Sequence, residues 1–275
     1  MTVPNVTLNN GVTMPQLGYG VFQIPNEDTT QAVKAALETG YRGIDTAAIY
    51  GNEEGVGRAV AESDLNREDL FITSKLWVDS FDYDDALRAF DDSLAKLGTD
   101  YLDLYLIHWP VPTQGKYPEA WRALEHLYAE GRVRAVGVSN FQPEHLARLA
   151  SDSDLVPAVN QVELHPTFAN TAVEEANTAS GIFTEAWGPL GQGAIFTNPY
   201  LADIAAQVGR SVAQVVIRWH MQQGRIVIPK TVNPKRMEEN FTVFDFELTD
   251  DHMTAINALD TGVRGGADPE TFEGK

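Results

Sequence analysis

Cysteine does not occur anywhere in the 275-residue sequence. Its absence excludes disulfide bonds, a thiolate metal site and a cysteine nucleophile. It fits a reducing compartment, and the first residues lack the basic region and the apolar run of a signal peptide. We therefore expect a cytoplasmic protein.

Long apolar runs and basic residues are also scarce. No run approaches the ~18 apolar residues of a transmembrane helix, so we expect no membrane span. The chain has 20 Lys and Arg against 39 Asp and Glu, which gives a formal net charge of -19. This charge disfavours nucleic acid or an anionic membrane as a partner. A ligand that carries phosphate would need a local basic cluster, which should be visible in the sequence.

Short apolar runs alternate with helical patterns along the chain. The strand candidates are residues 17–22, 43–45, 70–76, 102–108, 133–139, 158–163, 182–187 and 225–230. The helical candidates are residues 29–39, 54–61, 84–97, 118–130, 143–150, 171–180, 200–208 and 212–222, with 234–240 and 250–258 after the last strand. This alternation predicts an α/β fold, a (β/α)8 TIM barrel that forms one domain over residues 1–275.

The two ends of the chain add to the barrel. Residues 6–8 and 12–14 flank Asn10-Gly11 and predict an N-terminal β-hairpin that plugs one end of the barrel. The last helical pattern predicts an extra C-terminal helix. A doubly wound sheet is disfavoured, because Gly18-Tyr-Gly20-Val-Phe does not continue into the G-x-G-x-x-G pattern.

Ionisable residues stand at the ends of three consecutive predicted strands. Asp45 ends the second strand and Tyr50 lies in the following loop, while Lys75 and His108 end the third and fourth strands. Each residue alone could be a helix cap, a packing residue or a satisfied core donor. Barrel enzymes place their active sites at the carboxyl ends of the strands, so the combination predicts one site.

The chemistry of these four groups suggests proton transfer. A free tyrosine titrates near pH 10, and a neighbouring lysine would lower that pKa by stabilising the phenolate. An aspartate would keep the lysine charged, and a neutral histidine could orient a carbonyl oxygen. These groups can protonate an oxygen while hydride is delivered to carbon. The sequence shows no Ser-His-Asp arrangement and no metal-ligand cluster, so we expect no metal.

The setting of these residues is distinctive. It comprises Gly43-Ile-Asp45-Thr-Ala-Ala-Ile-Tyr50-Gly-Asn-Glu-Glu, Ser74-Lys75-Leu-Trp77, Asp103-Leu-Tyr-Leu-Ile-His108-Trp-Pro, Gly137-Val-Ser139-Asn140-Phe and Ile228-Pro-Lys230-Thr231. These segments resemble those of the aldo-keto reductases, and the resemblance extends over essentially the whole chain. Within the family, residues 15–22, 187–193 and 243–246 resemble the bacterial 2,5-diketo-D-gluconate reductases.

The resemblance implies a role for each matching residue. Tyr50 would be the proton donor, tuned by Lys75 and Asp45, and His108 would orient the carbonyl. The implied contacts with the nicotinamide and the pyrophosphate involve Ser139, Asn140, Gln161, Trp187, Gly188, Leu190, Gln192 and Gly193. Phe22, Ile49, Trp77 and Trp109 would line an apolar substrate pocket. His165 also matches a family motif, but we interpret it as structural, because Pro166 follows and no partner is apparent.

The basic cluster demanded by a phosphate ligand does occur after the last predicted strand. Lys230, Lys235 and Arg236 lie within seven positions of an otherwise acidic chain, and Asn233-Pro234 predicts a capped helix whose amides point at an anion. Lys235 alone could belong to a solvated helix face. The resemblance implies that Lys230, Thr231, Val232 and Arg236 hold an adenosine 2′-phosphate, with Glu239 and Asn240 near the adenine. We therefore expect NADPH rather than NADH.

The substrate is the least determined feature. The loop after Trp109 and the glycine-rich tail around Gly265-Gly266 are short, which predicts an open site. The leading expectation is reduction of small polar carbonyl compounds such as 2,5-diketo-D-gluconate-like sugar acids, by a monomer. A broad aldehyde or methylglyoxal reductase is an alternative on the same scaffold. A Schiff-base aldolase using Lys75 and a non-catalytic nucleotide sensor are alternatives of other classes.

Overall fold

The computed structural model describes residues 3–274, in which a parallel barrel is surrounded by helices. The strands are β1 (Asn5–Thr7), β2 (Thr13–Pro15), β3 (Gly18–Gly20), β4 (Gly43–Asp45), β5 (Phe71–Leu76), β6 (Leu102–Ile107), β7 (Val133–Ser139), β8 (Val159–Glu163), β9 (Phe183–Trp187) and β10 (Ile226–Val227). The α-helices are α1 (Asn26–Thr39), α2 (Glu53–Ala61), α3 (Tyr83–Leu97), α4 (Tyr117–Ala129), α5 (Pro143–Asp152), α6 (Thr171–Ala179), α7 (Pro199–Val208), α8 (Val212–Gln222), α9 (Pro234–Phe241) and α10 (Asp250–Asn257).

The strands β3 to β10 pair in parallel in chain order. Pairing of Leu17 with Val227 joins the first and last strands, and the Gly20 amide donates to Pro229 O at 3.3 Å. A Cβ at Gly20 would lie 3.1 Å from Ile228 O, so glycine permits the close approach at this seam. The predicted (β/α)8 barrel is confirmed.

The two strands at the seam are shorter than predicted. The structure has β3 at Gly18–Gly20 and β10 at Ile226–Val227, instead of residues 17–22 and 225–230. Pro229 accepts the bond from Gly20, but it has no amide hydrogen and cannot donate a hydrogen bond to β9. The chain beyond each strand therefore turns into the loops of the barrel mouth, and these loops carry Phe22 and Lys230 to exposed positions.

The N-terminal hairpin closes the opposite end of the barrel. Val6 of β1 pairs with Met14 of β2, and Gly11 in the turn has a φ of 85°, which glycine tolerates. Leu8 and Met14 pack in a buried cluster with residues at the amino ends of strands, such as Phe71. The predicted plug is therefore present, and it leaves the carboxyl ends of the strands as the open mouth.

The helices that follow the last strand complete the ring. Asn233 caps α9 by accepting from the amides of Lys235 and Arg236, and Thr249 caps α10 by accepting from the amide of His252. The extra C-terminal helix is thus present. Within residues 3–274, no helix combines the length and the apolar character needed to cross a membrane.

Candidate active site

Tyr50 reaches the barrel mouth through a short rigid turn. Strand β4 ends at Asp45, and residues Ala48–Tyr50 form one 3-10 turn that Gly51 ends with a φ of 65°. Thr46 Oγ1 donates to Asn52 Oδ1 at 2.8 Å, and Asn52 Nδ2 donates in turn to Val21 O. These buried bonds hold the loop against β3, so the backbone around Tyr50 is fixed on both sides.

Lys75 and Asp45 form a buried ion pair beneath Tyr50. Lys75 is 0% exposed, and its Nζ donates to Asp45 Oδ1 at 2.6 Å and to Thr46 O at 2.8 Å. Burial alone would lower the pKa of Lys75, but the Asp45 carboxylate and Tyr50 outweigh it and raise that pKa. Lys75 therefore keeps its proton, which argues against a Schiff-base role.

The net effect on Tyr50 differs from our expectation. Lys75 Nζ lies 5.1 Å from the Tyr50 ring centroid and does favour the phenolate. Burial has the larger effect, and together with Asp45 it raises the pKa of Tyr50 above its usual value. The predicted effect of Lys75 is therefore present, but burial outweighs it, so the net pKa of Tyr50 is raised rather than lowered. Tyr50 stays protonated at neutral pH, as a proton donor must.

His108 lies beside Tyr50 as a neutral ring. The two ring centroids are 5.5 Å apart. Burial, and then the positive charge of Lys75, lower the pKa of His108 well below its usual value. Nδ1 is buried without a partner among residues 3–274, which leaves Nε2 as the nitrogen that can reach a carbonyl oxygen.

A second acid inside the barrel, Glu185, was not predicted. Gln161 Nε2 donates to Asp45 Oδ2 at 2.8 Å and to Glu185 Oε2 at 2.9 Å. Burial and the nearby Asp45 charge raise the pKa of Glu185 to about 8. The signal in the sequence was an acid within the apolar strand β9, next to Ala186 and Trp187.

Three of the residues expected to hold the nicotinamide form one polar cluster. Asn140 Nδ2 donates to His108 O at 3.0 Å and to Ser139 Oγ at 3.1 Å, while Asn140 Oδ1 accepts from Trp187 Nε1 at 2.8 Å. The cluster fixes the plane of Trp187 at the rim. It also ties the ends of β6, β7 and β9 together, so ring packing is only part of the role of Trp187.

One cavity of about 1170 Å3 runs across the barrel mouth and connects these groups. Every predicted site residue lines it except Lys75 and Val232. Lys75 lies completely buried behind the cavity, and Val232 is 58% exposed beside it. The cavity lining also includes residues that were not among the predicted site residues: Gly20, Gln23, Pro189, Phe196, Ala213, Ile228, Pro229, Gly266, Ala267 and Phe272.

The cations of the cavity lie on the loop after β10 and on α9. Lys230, Thr231 and Arg236 line the cavity there, with Glu239 and Asn240 beside them. The amides of Lys235 and Arg236 already donate to Asn233 Oδ1, and the Asn233 amide donates to Thr231 Oγ1 at 3.2 Å. An anion here would therefore be held mainly by side chains rather than by the helix amides that we expected.

The other part of the cavity is an aromatic cleft. It is defined by a chain of ring contacts from Phe22 through Tyr50, His108 and Trp77 to Phe272, which packs on Trp109 with 4.2 Å between ring centroids. The C-terminal tail thus crosses the mouth and supplies one wall of the cleft, while Phe22 and Ile49 on the cavity lining remain about half exposed. Phe272 gave no sequence signal, because its partners are more than 160 residues away along the chain.

His165 has two polar partners, which corrects our expectation that it has none. Its Nε2 lies 3.2 Å from Glu163 Oε1 and its Nδ1 lies 3.0 Å from Thr167 Oγ1. Its role remains structural in the sense that it does not line the cavity.

The fold and the site together define a barrel enzyme with a buried acid–base group at one part of a nucleotide-sized groove. The family model of the aldo/keto reductase family matches residues 14–261. The chain belongs to this family, and the predicted oxidoreductase class is confirmed.

Relatives extend over nearly the full chain. A glyoxal reductase of Bacillus subtilis (strain 168) is 50% identical and covers 96% of this chain and 96% of its own length. A methylglyoxal reductase of Escherichia coli (strain K12) is 48% identical, with 98% of both chains covered. The crystal structure of a Gox0644 variant in complex with NADPH has a TM-score of 0.96 and 47% identity, and covers 99% of this chain and 100% of that one.

Proposed function

We propose that this protein uses NADPH to reduce small aldehydes and α-dicarbonyl compounds, of the kind represented by glyoxal and methylglyoxal, to alcohols. One observation carries the proposal: a single cavity joins the Tyr50–His108 pair to the cations Lys230 and Arg236. Proton transfer and dinucleotide binding would therefore take place in the same cavity.

The donor set along the cavity fits NADPH. Trp187 offers a flat ring surface, and Gln161, which also lines the cavity, offers an amide oxygen. Gly188 and Gly193 have φ values of 58° and 99°, so no side chain obstructs a close approach to the backbone. Lys230 and Arg236 supply positive charge for a 2′-phosphate in a chain with a formal net charge of -19.

NADPH supplies the hydride when it is bound. The chain supplies the proton and the orientation. Tyr50 donates its hydroxyl proton to the carbonyl oxygen, and the Lys75 ammonium stabilises the phenolate that remains. Neutral His108 donates a hydrogen bond from Nε2 to the same oxygen and holds it towards Tyr50. Asp45 keeps Lys75 charged and in place.

The lining of the aromatic cleft favours compact uncharged carbonyl compounds over sugar acids. The cavity has two cationic lining residues among the described residues, Lys230 and Arg236, and both belong to the β10–α9 region. A carboxylate in the cleft between Trp77 and Trp109 would lose hydration without gaining a charged partner. The names of the two curated relatives point to the same substrates. The competing expectation, 2,5-diketo-D-gluconate-like acids, is tested against these substrates below.

The test is NADPH consumption with methylglyoxal, glyoxal, an aromatic aldehyde and 2,5-diketo-D-gluconate. We expect kcat/KM to be at least about tenfold higher for the uncharged carbonyl compounds than for the sugar acid. This factor corresponds to one hydrogen bond that the carboxylate loses to water and does not regain in the cleft. A higher value for the sugar acid would overturn the substrate assignment. Tyr50→Phe should reduce kcat by about 10²- to 10⁴-fold with NADPH affinity unchanged. An enzyme that binds NADPH but reduces none of these compounds would instead be a nucleotide sensor.

A further inference from the structure

The C-terminal segment of residues 261–272, here called the strap, crosses the barrel mouth with few apolar contacts of its own. Most of its residues are exposed, and it begins at Thr261, whose amide donates to Thr167 O at 3.0 Å. It ends at Phe272 in the aromatic cleft. A segment with so few buried contacts has low local stability unless polar contacts fix it.

Glu163 provides such contacts from the end of β8. Its side chain is 2% exposed, and Oε1 accepts from the amide of Gly265 at 2.7 Å and from that of Gly266 at 3.1 Å. Oε2 accepts from the Gly266 amide at 2.9 Å. Burial alone would raise the pKa of Glu163, but the bonds from His165 and the two glycine amides outweigh it and lower that pKa. The carboxylate is therefore ionised and binds the strap strongly.

The strap at this point also touches Trp187. A Cβ at Gly266 would lie 2.6 Å from the Cη2 atom of Trp187 and 3.1 Å from Glu163 Oε2. Glycine is thus required for the strap to lie between the carboxylate and the indole. The same short segment reaches the ring that faces the cofactor and, six residues later, the wall of the substrate cleft.

We propose that Glu163 is a positioning residue, which clamps Gly265 and Gly266 and thereby holds Phe272 in the substrate cleft and Gly266 against Trp187. The inference rests on the proposed reductase function for its kinetic consequences. The structural part of the inference concerns the protein without substrate or cofactor, so the clamp and the proposed function can be disproved separately.

The structural part is tested by hydrogen exchange of the free protein, followed by mass spectrometry on peptides that cover the strap. In Glu163→Gln one accepting oxygen and the negative charge are lost, and we expect the strap amides to exchange about tenfold faster or more. Glu270→Gln is the matched control, since it changes a strap carboxylate that lies 3.4 Å from His145 and does not bond to Gly265 or Gly266. Exchange in Glu163→Gln equal to that of the wild type would overturn the clamp.

The kinetic part uses an aromatic aldehyde and methylglyoxal. Glu163→Gln should raise KM for the aromatic aldehyde by about tenfold and change kcat for methylglyoxal little, because only the larger substrate needs Phe272. Phe272→Ala should also raise KM for the aromatic aldehyde, but without faster exchange at Gly265 and Gly266. At saturating NADPH, which removes any effect through Trp187 on cofactor binding, the double variant should have a KM for the aromatic aldehyde no higher than that of Phe272→Ala. Additive effects would show that Glu163 does not act through Phe272 and would overturn the proposal.

Gly266→Ala offers a second route that leaves Glu163 intact, should Glu163→Gln fold poorly. The added Cβ would displace the strap from Trp187, and we expect faster strap exchange, a higher KM for the aromatic aldehyde and weaker NADPH binding. Binding of 2′,5′-ADP, which lacks the nicotinamide, should not change and verifies the fold. A variant with unchanged exchange and unchanged KM would contradict the proposal. A wild-type protein that reduces no carbonyl compound would defeat the proposed function, while the exchange result would still decide the clamp.

Discussion

The two parts of the cavity differ in how the chain builds them. At the Tyr50 part, Asp45, Lys75 and His108 stand at the ends of strands and Tyr50 in the loop after β4. Lys75 is 0% exposed, and burial affects the pKa values of Tyr50, Lys75 and His108. At the Arg236 part, Lys230 and Arg236 are exposed on a loop and a first helical turn. Charges there act in a high dielectric and are screened by salt. Under the proposed function, proton transfer would therefore use the buried ends of the strands, and anion binding would use the exposed rim.

The largest effect among the predictions that test this difference is expected at the exposed rim, which carries Lys230 and Arg236. Arg236→Ala should raise the Kd for NADPH by roughly 10- to 100-fold, the value of a charged hydrogen bond, and leave the Kd for NADH nearly unchanged. The control is Lys235→Ala, one residue earlier in the same turn, because Lys235 does not line the cavity. Fluorescence titration at low and high salt measures both, and equal losses for NADPH and NADH would contradict the rim assignment.

The pH profile of carbonyl reduction tests the buried part. The reactive form of Tyr50 is protonated, and burial raises its pKa above the usual value of about 10. The pKa of His108 lies well below its usual value, so its ring does not titrate in the same range. We expect kcat to stay flat from about pH 7 to 9 and to fall by about tenfold per pH unit above the Tyr50 pKa. Glu185 itself titrates near pH 8, so the control is the same profile in Glu185→Gln. A fall centred near neutral pH that persists in this variant would show that another group donates the proton.

The smallest effect concerns stability and comes from Glu185. Its folded pKa of about 8 exceeds the value of 4.5 of an unperturbed glutamate. The folded protein therefore binds the extra proton, and the contribution of Glu185 to stability is fully present below pH 4.5 and is lost as pH rises to about 8. Glu185→Gln cannot ionise, so its Tm relative to the wild type should be higher by about 2 °C or more at pH 9 than at pH 6. An equal Tm difference at both pH values would mean that Glu185 titrates normally.

The sequence was most informative where local pattern and chemistry coincide. The alternation of strands and helices predicted the barrel, and the carboxyl-end rule brought Asp45, Lys75 and His108 together across three strands. The boundaries failed at the seam, where Pro229 and Phe22 leave the ladder. The net pKa of Tyr50 could not be predicted either, because burial outweighs the Lys75 charge only once the whole loop is packed.

By itself, the sequence determined the class of fold, the residues at the strand ends and the basic cluster of the rim. These features follow from period, charge and residue type within short segments. Only the tertiary structure decided that Glu163 holds the strap, that Phe272 closes the cleft and that Glu185 shares Gln161 with Asp45. Each of these contacts joins distant segments, and their formation depends on the barrel geometry rather than on any local preference.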